Sequence, residues 1–338
     1  MRLVVITQSV DEDDPALGAT VPMLRALAAR VDELVVLALR AKPTELPANV
    51  RVKEFGAPTQ ALRGARLLAQ LAPELRRRPV AVLAHMAPIY AVLASTVTRP
   101  LRVPLLLWFT HWRASRTLEL AERVSTSVLS VNERSFPIPT TKLVATGHAV
   151  EIGAEVVPAG GDAPLKLLAL GRTSRAKGLD TIVEAVESLD GAAVVELRGP
   201  SLTDEERRYR SELAARVDDV RIRLAEPVGR REIARVYGGA DALVNNMRAG
   251  ALDKVVFEAA AAALPVLVAS DGFAALVDGL ELPLRYRQDD AEELAERIRG
   301  LIAAGPEGRA RIGRALRERV ARDHSVGHWA DEVVAAAR

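Results

Sequence analysis

Two cations five residues apart are the first residues in this chain whose types and spacing could do chemistry. Arg172 and Lys177 lie in Gly171-Arg172-Thr173-Ser174-Arg175-Ala176-Lys177-Gly178, directly after the apolar run Leu165–Leu170. A strand feeding such a loop, with Gly178 allowing tight entry to a helix, gathers a planar guanidinium, a point-charged ammonium and free helix amides. That set suits a diphosphate. The spacing is neither a Walker loop nor GxGxxG, which counts against ordinary dinucleotide binding. A solvated loop carrying surface cations is the other reading. In a second segment, Asn245 ends a strand, a Gly-containing loop follows, and Asp253 stands as N-cap of a helix. Glu258 is the lone carboxylate in that otherwise apolar helix and needs a partner if buried. Two ribose hydroxyls would serve, and an exposed helix edge is the alternative.

Two acidic or histidine clusters invite a metal reading. Asp11-Glu12-Asp13-Asp14 contains a D-x-D string, but it follows the first strand without histidine neighbours and reads as a solvated loop. His324 and His328 are four apart, yet Gly327 and the terminal position favour capping and packing.

The elements that must position these groups alternate from end to end. Strands are expected at Leu3–Thr7, Leu34–Leu39, Val50–Phe55, Val80–Ala84, Leu105–Phe109, Ser127–Val131 and Leu143–Thr146. Helices are expected at Thr20–Arg30 and Ala61–Arg77. The stretch from Val157 to Pro164 reads as a linker. The alternation then restarts with strands at Leu165–Leu170, Ala193–Leu197, Val220–Leu224, Ala242–Asn245 and Pro265–Ala269. Helices are expected at Leu179–Ser188, Thr203–Val217, Arg231–Tyr237 and Val255–Ala263, with three more closing the chain. Continuous apolar strands separated by helices predict mostly parallel sheets covered on both faces. The fold class is therefore α/β, two doubly wound Rossmann-like domains in series, with a cleft between them as the expected site.

The 338 residues, 49% hydrophobic and 27% charged, suffice for two cores and exclude a disordered chain. The absence of cysteine excludes disulfides, thiolate metal sites and a cysteine nucleophile. No apolar run reaches the roughly 18 residues of a membrane span. The net charge is +2, and basic residues are not interleaved with aromatics, so nucleic-acid binding is not expected. The basic segment Ala61–Arg78 leaves two readings, a helix packed on its sheet or one lying on an anionic leaflet.

Taken together, Gly171-Arg172, Lys177-Gly178-Leu179-Asp180, Glu258-Ala259-Ala260-Ala261 and Leu264-Pro265-Val266-Leu267-Val268-Ala269-Ser270 resemble the donor half of family-4 glycosyltransferases of GT-B architecture. Leu83-Ala84-His85-Met86-Ala87-Pro88, Leu107-Trp108-Phe109-Thr110-His111-Trp112, Ser135-Phe136-Pro137 and Thr146-Gly147-His148 resemble blocks of a bacterial and archaeal branch. The resemblance covers nearly the whole chain. It implies an acceptor-side domain at 1–156, a nucleotide-sugar donor domain at 165–322, and a last helix at 323–338 crossing back to the first domain. It implies Arg172 and Lys177 on the donor diphosphate, with Gly171 and Gly18 close to the phosphates, and Glu258 on the ribose. It implies His111 beside the reacting carbon and His85 in sugar or acceptor contact or in a structural role; His148, just before the linker, reads as structural or as part of a hinge. The first Glu of the family's pair is replaced by Gly250; Asp253, Arg248 or loop amides stand as substitutes. Leu252-Asp253-Lys254 resembles a motif variant of the same branch, which adds Lys254 to the donor site.

The activity implied is a retaining, metal-independent transfer of a sugar from a nucleoside-diphosphate donor to a glycan, lipid-linked or small-molecule acceptor. No cofactor beyond that co-substrate is expected, and the expected location is the cytoplasm, with peripheral contact at the inner face of the membrane as one of the two readings of the basic segment Ala61–Arg78. Competing readings are a degenerate binding or scaffold protein, motivated by Gly250, a nucleotide-sugar epimerase, and a phosphorylase carrying a pyridoxal cofactor on one of six lysines.

Overall fold

A computed structural model of the chain describes residues 1–14, 17–111, 113–155, 164–216, 220–247 and 252–338, and the backbone alone of Arg231. The chain divides into two compact units, Met1–Ala149 with Asp323–Arg338, and Val150–Arg322. Of the expected linker from Val157 to Pro164, all but Pro164 lies outside the described residues.

The first unit runs β1 (Arg2–Val10), α1 (Thr20–Ala28), β2 (Glu33–Ala41), β3 (Val50–Glu54), α2 (Gln60–Arg76), β4 (Ala81–His85), α3 (Pro88–Thr98), β5 (Leu105–Trp108), α4 (Arg116–Val124), β6 (Ser127–Ser130) and β7 (Leu143–Ala145). The strands form one parallel sheet in the order β3-β2-β1-β4-β5-β6-β7. Leu3, Val4, Val5 and Ile6 are all buried, as a strand covered on both faces requires. Two helices, α3 and α4, were not expected from the sequence. Two basic residues of α2 serve the fold: Arg63 donates to the Ala57 carbonyl at 2.6 Å, and Arg66 to that of Gly56. Its other face buries Leu67, Leu71 and Leu75 against the sheet.

The second unit runs β8 (Leu165–Leu170), α5 (Leu179–Glu187), β9 (Ala193–Arg198), α6 (Asp204–Ala214), β10 (Ile222–Ala225), α7 (Ile233–Gly238), β11 (Ala242–Asn245), α8 (Lys254–Ala261), β12 (Val266–Val268), α9 (Ala274–Val277), α10 (Ala291–Ala303) and α11 (Gly305–Asp323). Its sheet is parallel, in the order β10-β9-β8-β11-β12. The helix expected over Arg231–Tyr237 begins as a 3-10 turn at Arg230–Glu232. Thr203 and Glu206 close a reciprocal capping box on α6. The last helix, α12 (Val326–Ala336), belongs to the first unit. There Trp329 meets Trp108 edge-on at 6.2 Å, and Arg30 pairs with Asp331 at 2.6 Å. No helix among the described residues is long and apolar enough to cross a membrane.

Candidate functional site

In the second unit β8 lies beside β11, while the chain proceeds from β8 outward through β9 and β10 and from β11 outward through β12. The loops leaving these two strands therefore diverge. Such a reversal of strand order opens a crevice at the carboxyl ends, where ligands of open α/β sheets bind.

The loop after β8 delivers Lys177 to that point. Gly171, at φ +127°, makes room for it: a Cβ there would stand 2.7 Å from the Lys177 Nζ. Gly178 opens α5 in the left-handed region, at φ +53°, and a Cβ on it would strike the Asn246 Nδ2 at 2.3 Å. Asn246 is fully buried and ties the two loops together. Its amide donates to the Gly178 carbonyl at 3.1 Å and to Asp289 Oδ1 at 2.9 Å.

From the other side, the loop after β11 brings Asp253 against Lys177 in an ion pair, with the two side chains 12% and 15% exposed. The same carboxylate oxygen, Oδ2, accepts the Asn245 amide at 2.9 Å. Asp253 occupies the N-cap position of α8, but its side chain caps no backbone amide, which corrects the capping role expected for it. The carboxylate instead gains a charged partner, and charge-assisted hydrogen bonds are the stronger kind. Gly171, Arg172, Lys177, Leu179, Asn245 and Asn246 line a narrow recess here.

Arg172 stands at the rim. Its side chain is 57% exposed and its Nε lies 3.5 Å from Glu206 Oε1. Glu206 is fixed in turn by accepting the Leu202 amide at 2.6 Å. The Arg172 guanidinium thus has an anchored partner and keeps donors toward solvent.

Immediately after Asp253, Lys254 opens α8, and Glu258 lies one helical turn further along the same helix. Burial pushes the Glu258 carboxyl up, and the fields of Lys254 and Arg230 offset only part of that. Burial likewise pushes the Lys254 ammonium down, against the attraction of Glu258. The buried Tyr237 hydroxyl of α7 faces Glu258 without closing a full hydrogen bond. Burial and the Glu258 and Asp253 charges hold the phenol well above its ordinary value. Arg230, paired with Glu151 at 2.6 Å, completes the surround. The Asp253 field reaches Glu258 as well, so both carboxylates belong to one constellation.

The structure therefore brings Gly171, Lys177 and Asp253 into contact, sets Lys254 and Glu258 beside them, and leaves Arg172 on the rim. His85, His111 and Gly18 belong to the other unit. Its strand order likewise reverses between β1 and β4. His85 ends β4 there, its Nδ1 3.2 Å from Thr7 Oγ1 and its ring stacked on Trp108 at 4.9 Å. His111 is exposed in the loop after β5, and its Nδ1 accepts the Arg113 amide at 3.0 Å. Gly18 is buried where a Cβ would stand 2.6 Å from the Glu12 carbonyl. The acidic string before it is pinned by cations, Asp11 to Lys42 at 2.8 Å and Glu12 to Arg25 at 2.6 Å. His148 and His324 lie ring to ring at 6.1 Å, and burial pushes His324 down to about 4. Arg248, Gly250 and Trp112 lie outside the described residues.

Sequence reasoning passed over Asn245 as a carboxylate partner, Glu206, Tyr237, Arg230 and Glu151. The pair Asn245-Asn246, closing a buried apolar strand, was a readable signal. Tyr237, Arg230 and Glu151 meet α8 through space from other elements and carry no local signature.

The fold is that of the GT-B glycosyltransferases. HepE of Anabaena, solved in complex with UDP, matches at a TM-score of 0.76 and 17% identity, with 99% of each chain covered. Sucrose-phosphate synthase from Thermosynechococcus elongatus matches at 0.71 and 18%, covering 99% of this chain and 98% of that one. The lipopolysaccharide outer core galactosyltransferase WaaB matches at 0.70 and 12%, with 99% of each chain covered. HepE has also been solved in complex with UDP-glucose. Residues 175–335, just under half of the chain, match the family model described as glycosyl transferase-like. No curated protein matches the sequence.

Proposed function

We propose that this chain is a retaining, metal-independent glycosyltransferase that takes its sugar from a nucleoside-diphosphate donor. The observation that carries the reading is the meeting of Lys177 and Asp253 across the strand-order reversal of the second sheet, beside Gly171 and one helical turn from Glu258. A cation there reaches the diphosphate while Gly171 lets it approach the strand end. Glu258, at the far side, accepts the ribose hydroxyls.

In the reaction the bond from the anomeric carbon to the diphosphate oxygen breaks, and a bond from that carbon to the acceptor oxygen forms on the same face. The acceptor proton passes to the departing diphosphate. Negative charge develops on that diphosphate, and Arg172 and Lys177 stabilise it without moving. From the first unit, Gly18 approaches the donor phosphates, His111 lines the donor-sugar pocket beside the reacting carbon, and His85 contacts the sugar or the acceptor. A glycan or lipid-linked glycan acceptor is supported by the likeness to WaaB. Basic residues at and just beyond the end of α2, Arg76, Arg77 and Arg78, are exposed and would meet an anionic leaflet on the cytoplasmic side if the acceptor is lipid-linked.

The test is turnover of UDP-, ADP-, GDP- and dTDP-glucose, followed as release of the nucleoside diphosphate. Arg172→Ala should lower kcat by about 10²–10³ with the fold intact. Full activity in that variant would contradict the assignment.

A further inference from the structure

The Lys177 ammonium already has a carboxylate partner. Asp253 holds it in an ion pair that is largely removed from solvent, and the Asn245 amide pins the same oxygen. An Asp at an N-cap ordinarily turns its side chain to the amides of its own helix. This one is turned toward the cation that the donor diphosphate would need. Any phosphate that reaches Lys177 must share it with Asp253 or displace it.

We infer that Asp253 sets the charge selectivity of the donor site, disfavouring a free nucleoside diphosphate relative to the nucleotide sugar. The inference rests on the donor-site reading above. A nucleotide sugar carries a diphosphate esterified at both ends, with one negative charge on each phosphate. Once the sugar has gone, the terminal phosphate carries a second negative charge above about pH 6. A fixed carboxylate beside Lys177 repels that additional charge across a short distance, and the low exposure of both side chains leaves the repulsion only partly screened. Asp253 thereby favours intact donor at entry and hastens departure of the spent diphosphate. The role is one of selectivity: Asp253 takes no proton and forms no bond in the transfer.

The experiment is titration calorimetry of the full chain with UDP, ADP, GDP and dTDP and with the matching glucose conjugates, at pH 8 and pH 5.5. Asp253→Asn keeps the shape and removes the charge, and Asp253→Ala guards against an effect of the new amide. Thermal unfolding of each variant checks the fold. In both variants the preference should swing toward the free diphosphate by about tenfold at pH 8. At pH 5.5, where the terminal phosphate holds its second proton, the swing should be much smaller. A merely structural role for Asp253 would shift both ligands together at both pH values. If the chain binds these ligands and the ratio is unchanged in the variants, the inference is overturned while the donor site stands. If the wild-type chain binds none of the eight ligands, the donor-site reading itself falls.

Discussion

Glu258 shows how a single side chain can be costly to the fold and useful to the site. Its carboxyl is pushed up by burial, more than Lys254 and Arg230 pull it down. A carboxyl raised in the folded state means the native chain holds that proton more tightly than the unfolded one. Stability is therefore lost as pH rises through the titration of this group and is recovered as pH falls. Glu258→Gln should unfold at a higher temperature than wild type at pH 8, with the difference fading toward pH 4, while nucleoside-diphosphate affinity falls at least tenfold. Calorimetric melting at both pH values, with titration at pH 8, checks this. A lower melting temperature at pH 8 would mean that Lys254 and Arg230 depend on the charge. At this scale the sequence was informative about which residue types matter and silent about their partners. Glu258 as a lone acid in an apolar helix called for a partner, and the charges that offset its burial are Lys254, one turn earlier on α8, and Arg230, from an element that shares no pattern with α8. Asp253 was legible as an N-cap by position. Its side chain turns away because Lys177, 76 residues earlier, offers a stronger interaction.

Among the elements, runs such as Leu165–Leu170 and Ala242–Asn245 fold with the bounds their apolar stretches predict. Helices α3 and α4 escaped for opposite reasons. The first is apolar all round, with Ile89, Tyr90, Val92, Leu93 and Val97 along it, so no stripe marks a helical period. The second is nine residues long and buries only Leu118 and Ala121, although Ser115 caps it by accepting the Leu118 amide at 3.2 Å. In the second unit α11 is tied to the head of β11 by a buried pair. Arg309 Nη2 stands 3.5 Å from Asp241 Oδ1, both side chains under 5% exposed, while Asp241 Oδ2 accepts the Lys166 amide at 2.9 Å. Asp241→Ala strands the Arg309 charge and the Lys166 amide together. It should cost about 3–5 kcal/mol in urea unfolding followed by circular dichroism, and the double change with Arg309→Met should recover much of it. A single change that costs under 1 kcal/mol would show that water reaches Arg309.

Over the whole molecule, the alternation of strand and helix made two parallel-sheet domains legible, because only helices covering both faces can bury such continuous apolar strands. The order of strands within each sheet was not legible. It depends on which edges pair across 50 or more residues, and nothing local encodes that. Yet the strand order is what creates the site, since the reversal between β8 and β11 brings Lys177 to Asp253. The first unit closes only when residues 323–338 return to it, burying Trp329 and Val333. The central claim, that the reversal in the second sheet holds a nucleoside diphosphate through Lys177 and Glu258, is tested most directly by thermal unfolding with UDP, ADP, GDP and dTDP, without added metal. A ligand that binds only the native chain at 100 times its Kd stabilises it by about 2.7 kcal/mol. The account predicts a rise in melting temperature with at least one of the four, abolished in Lys177→Ala and in Glu258→Ala. No rise with any of them, or an equal rise in both variants, would contradict it.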